Sequence, residues 1–198
     1  FFVHIYSTGY MTFDKDYSRF FSYISFFTFA MLLLVMSDNF IQMFIGWEGV
    51  GLASYLLIGF WHSKASAISA NLKAFLVNRI GDLFFIIGVV IIFSIFNSFN
   101  FSVIFDEINY LKDPNDLENL ELACLFLFIG AMAKSAQIPL HIWLPDSMEG
   151  PTPISALIHA ATMVTAGIFL IIRLSPIYEV STYTMDTILI IGAITSLL

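Results

Sequence analysis

Five ionisable residues stand where the rest of the sequence is oily. They are Glu48 in FIGWEGVGLASYLL, Arg79 and Asp82 in NRIGD, Lys134 in ACLFLFIGAMAKSAQIPLHIWLP, and His159 in ALIHAATMVTAG. A charge held at the centre of a bilayer costs roughly 2.5–3.5 kcal/mol on insertion scales, so each of them needs a partner or a task. Two carboxylates, an ammonium, a guanidinium and an imidazole on successive apolar segments are the parts of a proton relay. A Glu48–Lys134 pair whose separation can change has two protonation states within reach. Arg79 and Asp82 lie three positions apart, close enough to meet on one helical face. The structural alternative is that these charges only hold helices in register, since intramembrane polar contacts are often worth only about 0.6 kcal/mol.

Prolines mark the same place. Pro139 has no N–H for the carbonyl of Ser135, beside Lys134, and Pro145 has none for that of His141. Carbonyls freed at membrane depth are tolerated only where protein or water satisfies them, so the spacing predicts a hydrated pocket around Lys134. His62 and His141 read as interfacial. Haem ligation by His141 and His159 has no supporting pair behind it. Trp61 and Trp143 fit membrane-boundary anchors. Gly46, Gly49 and Gly51 in GWEGVG mimic a nucleotide-binding loop, but with no preceding strand they are better read as small residues that let helices pack closely.

The elements that must position these residues are membrane spans. Of 198 residues, 59% are hydrophobic and 12% charged, about half the charge of an ordinary soluble domain. Apolar runs near 20 residues match a hydrocarbon core of roughly 30 Å. The pattern predicts an all-α, polytopic transmembrane helix bundle: about five complete spans and a truncated sixth, one of them discontinuous with prolines. The predicted helices cover residues 17–37, 40–61, 74–96, 120–145 and 154–173, with another starting near 185. Residues 1–16 read as a loop or the end of a preceding span, 62–73 as a polar connector with the option of a short interfacial helix, and 105–121 as an acidic extramembrane loop. Residues 1–198 together read as a piece of one domain: Phe1 opens the chain in place of Met, and Leu198 falls inside an apolar run.

A net charge of −7 gives no electrostatic reason to expect nucleic acid. The single cysteine, Cys124, excludes disulfides and Cys-ligated clusters within this chain. Basic residues Lys15, Arg19, Lys64, Lys73 and Arg79 gather at one end of the predicted spans, against Lys112 and Arg173 at the other. The positive-inside rule puts the first end in the matrix or cytoplasm and the acidic loop outside.

The stretches FIGWEGVGLASYLL, NRIGD and AKSAQIPLHIWLPDSMEGPTPISALIHAATMVTAG resemble the ND5/NuoL family, chain 5 of respiratory complex I (NADH:ubiquinone oxidoreductase). The MEGPTP turn is shared with the related Mrp-type cation/proton antiporters. The resemblance implies a proton-translocating core membrane subunit that couples electron transfer from NADH to quinone to proton pumping. It implies that Glu48 pairs with Lys134 on a broken helix, that His159 links the lysine to a central hydrophilic axis, and that Asp82 lies near the pair. It implies no cofactor in this chain, with NADH, FMN, iron–sulfur clusters and ubiquinone handled by other subunits. Partners would be other membrane-arm subunits with an ND4-like neighbour, the lipid bilayer and protons. The implied location is the mitochondrial inner membrane, which the abundance of Phe, Ile and Tyr also suits, with a plastid thylakoid or bacterial plasma membrane as alternatives. An Mrp-type antiporter subunit or a plastid plastoquinone oxidoreductase subunit is the competing reading.

Overall fold

The computed structural model describes residues 1–197, the side chain of Ala161 excepted; Leu198 lies outside the described residues. After a short helix α1 (Phe2–Tyr10), helix α2 (Tyr17–Val35) buries Phe20, Ile24, Phe27, Ala30 and Leu34. Their spacing of three and four residues draws one stripe along the helix. Helix α3 (Phe40–Ile58) starts where the Asn39 side chain accepts from the Gln42 N–H at 2.7 Å, an N-cap. It packs on α2 through glycine: a Cβ at Gly46 would lie 2.5 Å from the Leu34 nitrogen, and one at Gly49 2.9 Å from the Ala30 Cβ. The sequence reading of these glycines as packing residues holds.

Helix α4 (Ala65–Phe96) absorbs most of the stretch predicted to be a connector. Residues 65–73 contain neither Pro nor Gly, and their alanines are good helix formers, so nothing stops α4 from extending. At 32 residues and 1.5 Å per residue it outreaches the hydrocarbon core. It ends at Asn97, whose φ of 51° is left-handed. A short helix α5 (Phe101–Glu107) and a 3₁₀ turn follow.

Helix α6 (Pro114–Lys134) begins inside the predicted acidic loop, because Asp113 accepts from the Asn115 N–H and Pro114 occupies the first helical position. It stops at Lys134, eleven residues before the predicted end, and Ala136 follows with a left-handed φ of 50°. The chain continues through turns to a 3₁₀ segment at Asp146–Glu149. It re-enters as helix α7 (Thr152–Ser155), a π-helical stretch Ala156–Ala161 and helix α8 (Met163–Arg173). Helices α9 (Ser175–Val180) and α10 (Thr182–Leu197) complete the described chain.

Helices α4 and α6 pack along much of their length through glycines. A Cβ at Gly81 would collide with Ala133, one at Gly88 would come within 2.9 Å of Leu127, and one at Gly130 within 3.0 Å of Phe85. Two apolar clusters result, one around Trp47, Phe85, Phe128 and Leu170, the other around Phe20, Val50, Trp143 and Ile158. Among the described residues, four stretches are long and apolar enough to cross a membrane: α2, α3, α4 and Thr152–Arg173.

The ends of the bundle are tied separately. At the end that holds residues 59–66, Lys73 pairs with Asp146, Ser66 donates to Glu149 at 3.1 Å, Trp61 donates to Asp14 at 3.1 Å, and Arg19 donates to the Phe60 carbonyl at 3.2 Å. At the other, Arg173 reaches the Ser37 carbonyl at 3.1 Å and Asp38 at 3.4 Å. The turn at Asp146 therefore returns to the 59–66 end, so 114–149 makes one passage, α-helical only as far as Lys134. Arg79 sits fourteen residues into α4 and leaves the count of terminal charges. Lys15, Arg19, Lys64 and Lys73 still outnumber Lys112 and Arg173, so the charge asymmetry between the two ends remains.

Candidate functional site

Helical periodicity decides which residues of α3 can face inward. Trp47, Gly51 and Ser54 recur at steps of four and three and share one face, whereas Glu48 is turned about 100° away from Trp47. Trp47 is fully buried. Its indole donates to Asp82 Oδ1 at 2.7 Å, and Gly51 leaves room for the head of Lys134: a Cβ there would lie 2.9 Å from Nζ. On α4, Asp82 is 4% exposed, while the Arg79 side chain, about 60° round the helix, reaches outward to Glu48.

The ion pairs follow from those directions. Lys134, 1% exposed, stands 3.5 Å from Asp82 Oδ1. Glu48 pairs with Arg79, whose guanidinium also lies over the Phe75 ring at 4.8 Å. This corrects two expectations. Glu48 takes Arg79, not Lys134, as its ion-pair partner, and Arg79 and Asp82 do not pair along α4 but each bonds across to another helix. Glu48 remains within electrostatic range of both Asp82 and Lys134. The four form one cluster of two positive and two negative charges.

Lys134 is held without being saturated. Its Nζ lies 5.5 Å from the centre of the Trp47 ring, a cation–π distance, yet it has no hydrogen-bond partner among the described residues. An ammonium carries three donors, and leaving them unmade in a buried site is costly. Water or a proton acceptor is the chemistry such a site invites.

Beyond Lys134 the end of α6 is closed by partners that the prolines alone did not reveal. Ser135 N bonds to Ala131 O at 2.9 Å, and Gln137 N to Met132 O at 3.0 Å. The Trp143 indole donates to Ala133 O at 2.9 Å. Trp143 is fully buried, so it is not the boundary anchor its type suggested; it folds back and caps the broken helix. Trp61, partly exposed beside Lys64 and Asp14, does fit a boundary position.

His159 lies on the π-helical stretch, not in contact with Lys134. Its Nε2 is 3.1 Å from the Ser147 hydroxyl, and its ring centre is 6.2 Å from that of Trp143. Ser147 gives its proton to Leu144 O at 2.5 Å, so Nε2–H must be the donor to Ser147. That leaves the lone pair on Nδ1, which is buried and has no partner among the described residues, as is true of Gln137 Oε1 and His141 Nδ1. Trp143 stands between the two sites, bonded beside Lys134 at one edge and packed on His159 at the other. Trp47, Gly51 and Trp143 were missed as site residues in the sequence. The first two could have been found from the i, i+4 step shared with an inward face.

A family model for the transmembrane region of NADH:quinone oxidoreductases and Mrp antiporters matches residues 37–198. The chain belongs to this NADH:quinone oxidoreductase/Mrp antiporter family. NADH-quinone oxidoreductase subunit L of Neisseria meningitidis serogroup A is 56% identical over 98% of this chain, which covers 30% of that relative. NADH-ubiquinone oxidoreductase chain 5 of Phytophthora infestans is 54% identical and that of Marchantia polymorpha 52%, each over 98% of this chain and 30% of the relative. The chain thus spans about a third of the length of these relatives. The Mrp complex from Dietzia sp. DQ12-45-1b superposes with a TM-score of 0.74 at 29% identity, covering 83% of this chain and 18% of the other. Family membership and the apolar spans together make this a multi-pass membrane protein.

Proposed function

We propose that this chain is part of a proton-translocating core membrane subunit of respiratory complex I, residues 1–198 being a piece of one antiporter-like domain. The observation that carries the reading is the buried Lys134–Asp82 pair, whose ammonium, beside a helix break, has no hydrogen-bond partner among the described residues. Lys134 is the residue that takes up and releases the proton, and Asp82, held by Trp47, is the counter-charge that keeps it poised. Glu48 and Arg79 form the outer pair. If Arg79 lets go, Glu48 is free to draw the lysine outward, and the cluster has two charge arrangements between which a neighbouring subunit can choose. His159 passes the proton onward through its free Nδ1. Moving a proton against the membrane potential requires about 2.3 kcal/mol per 100 mV, which this chain does not supply. Redox chemistry with NADH, FMN, iron–sulfur clusters and ubiquinone belongs to other subunits, and an ND4-like subunit is the neighbour. The membrane is the mitochondrial inner membrane.

The test is proton-to-electron stoichiometry in assembled full-length complex carrying Lys134→Ala or Glu48→Gln. Lower stoichiometry with assembly intact is expected; unchanged values in both reject the reading. The likeness to an Mrp complex supports a second reading, a cation/proton antiporter subunit without redox coupling. Co-purification with iron–sulfur subunits favours the first reading, and a sodium-dependent growth phenotype the second.

A further inference from the structure

Three polar side chains of α4 are buried: Asn71 at 8%, Asn78 at 4% and Asp82 at 4% exposure. Steps of seven and four residues place all three within about 40° of one another around the helix. They are rungs on a single stripe, with rises of about 10 Å and about 6 Å between them. Ala74 lies between the two asparagines, and Asn78 Nδ2 donates to its carbonyl at 2.8 Å. That bond fixes the amide and turns Oδ1 away. Asn71 Oδ1 and Asn78 Oδ1 are both buried without a partner among the described residues. A buried carboxamide oxygen is nearly always hydrogen-bonded, and where protein offers no donor, ordered water does.

The first rung opens on a cavity. Asn71 lines a space of about 220 Å³ together with Arg19, Tyr23, Tyr55 and His62, at the bundle end where Trp61 meets Asp14. At about 30 Å³ per molecule, this space holds several waters. The last rung is Asp82, already 3.5 Å from Lys134.

We infer that this stripe is the route by which water, and with it a proton, passes from the His62 end of the bundle to Asp82 and Lys134. Asn71 and Asn78 are its positioning residues. The inference rests on the proton-translocation reading and names its entry. An amide does not itself take the proton. Each asparagine accepts from one water through Oδ1, so a hydronium arriving at the cavity hands its proton from water to water until the last one gives it to the Asp82 carboxylate or to neutral Lys134. Gln137 and His141 lie on the non-helical segment that runs from Lys134 back to the 59–66 end, and His159, bonded to Ser147 at 3.1 Å, lies on the π-helical stretch; all three stand outside the α4 stripe.

The experiment is side-specific thiol labelling in sealed vesicles containing the assembled full-length complex. Asn71→Cys, Asn78→Cys and Ile80→Cys are introduced one at a time, with Cys124 and any reactive cysteine elsewhere replaced. The probe is a small, charged methanethiosulfonate, which needs water to reach a thiolate. Expected are reaction at 71 and 78 from the His62 side alone, none at Ile80→Cys, whose native residue is exposed on the outer face, and loss of reaction at 78 when Asn71→Phe is added. Proton uptake should fall in Asn78→Leu and be kept in Asn78→Ser. Failure of the Asn78→Cys variant to react, reaction from the opposite side, or full proton uptake in Asn78→Leu overturns the route. Labelling does not depend on pumping, so an inactive Lys134 has no bearing on it: normal labelling with normal stoichiometry in Lys134→Ala would sink the function and keep the water path.

Discussion

Asp82 and Lys134 face each other across α4 and α6 at 3.5 Å, both buried, and the carboxylate oxygen nearest the lysine is the one bonded to the Trp47 indole. The aspartate is fixed and the lysine is not, which makes Lys134 the mobile half of the pair.

Removing one partner strands the other. A buried pair broken from one side costs about 3–5 kcal/mol, whereas removing both charges is often neutral. Asp82→Asn and Lys134→Met should each lower the thermal stability of the assembled complex more than the double variant does. Pumping should be lost in all three. Equal stability losses that simply add in the double variant would show that the two charges do not interact.

Trp47→Phe keeps an aromatic ring but removes the N–H that holds Asp82. A hydrogen bond to a charged group is worth about 1.5–3 kcal/mol, so the complex should be destabilised by that order. In an Asp82→Asn background the same change should cost distinctly less. A thermal-stability cycle over the four proteins reads the difference.

Two glycines five residues apart should behave differently when given a methyl group. Gly46→Ala meets the Leu34 backbone and should impair assembly, because overpacking costs about 1–3 kcal/mol where nothing can yield. Gly51→Ala meets only the end of Lys134, which can move. It should assemble and lose pumping. Native-gel assembly against proton uptake separates the two outcomes.

Outside the spans, Asp14 titrates with a local anchor. The Asp16 backbone N–H and then the Trp61 indole hold its carboxyl below the usual 3.8, against a smaller opposing effect of burial. A group whose folded value is depressed contributes stability above its unfolded value and loses it as pH falls through the folded one. Trp61 fluorescence should therefore report release of this anchor only below about pH 4. In Asp14→Asn the acid step should vanish.

The bundle was legible because membrane spans are written in length and hydropathy, and the five ionisable residues stood out against both. Their pairing was not. Glu48 and Lys134 are opposite charges at similar depth, and composition alone joins them. The hundred-degree step from Trp47 to Glu48 sends the carboxylate to Arg79 instead. The start and end of α6 were misplaced for related reasons. Asp113 and Pro114 make a helix start inside a stretch that looks like an acidic loop, and Trp143 satisfies a carbonyl ten residues back, a long-range bond that leaves no local trace. The connector before α4 was legible as helix from its alanines, and its polarity hid that.

Lys134→Arg tests the central claim most directly. Arginine keeps the positive charge and can stay paired with Asp82, but it cannot release a proton at any pH a protein meets. In assembled complex reconstituted in vesicles, the account predicts near-normal assembly and NADH oxidation with fewer protons moved per electron. A wild-type proton-to-electron ratio in that variant would contradict it.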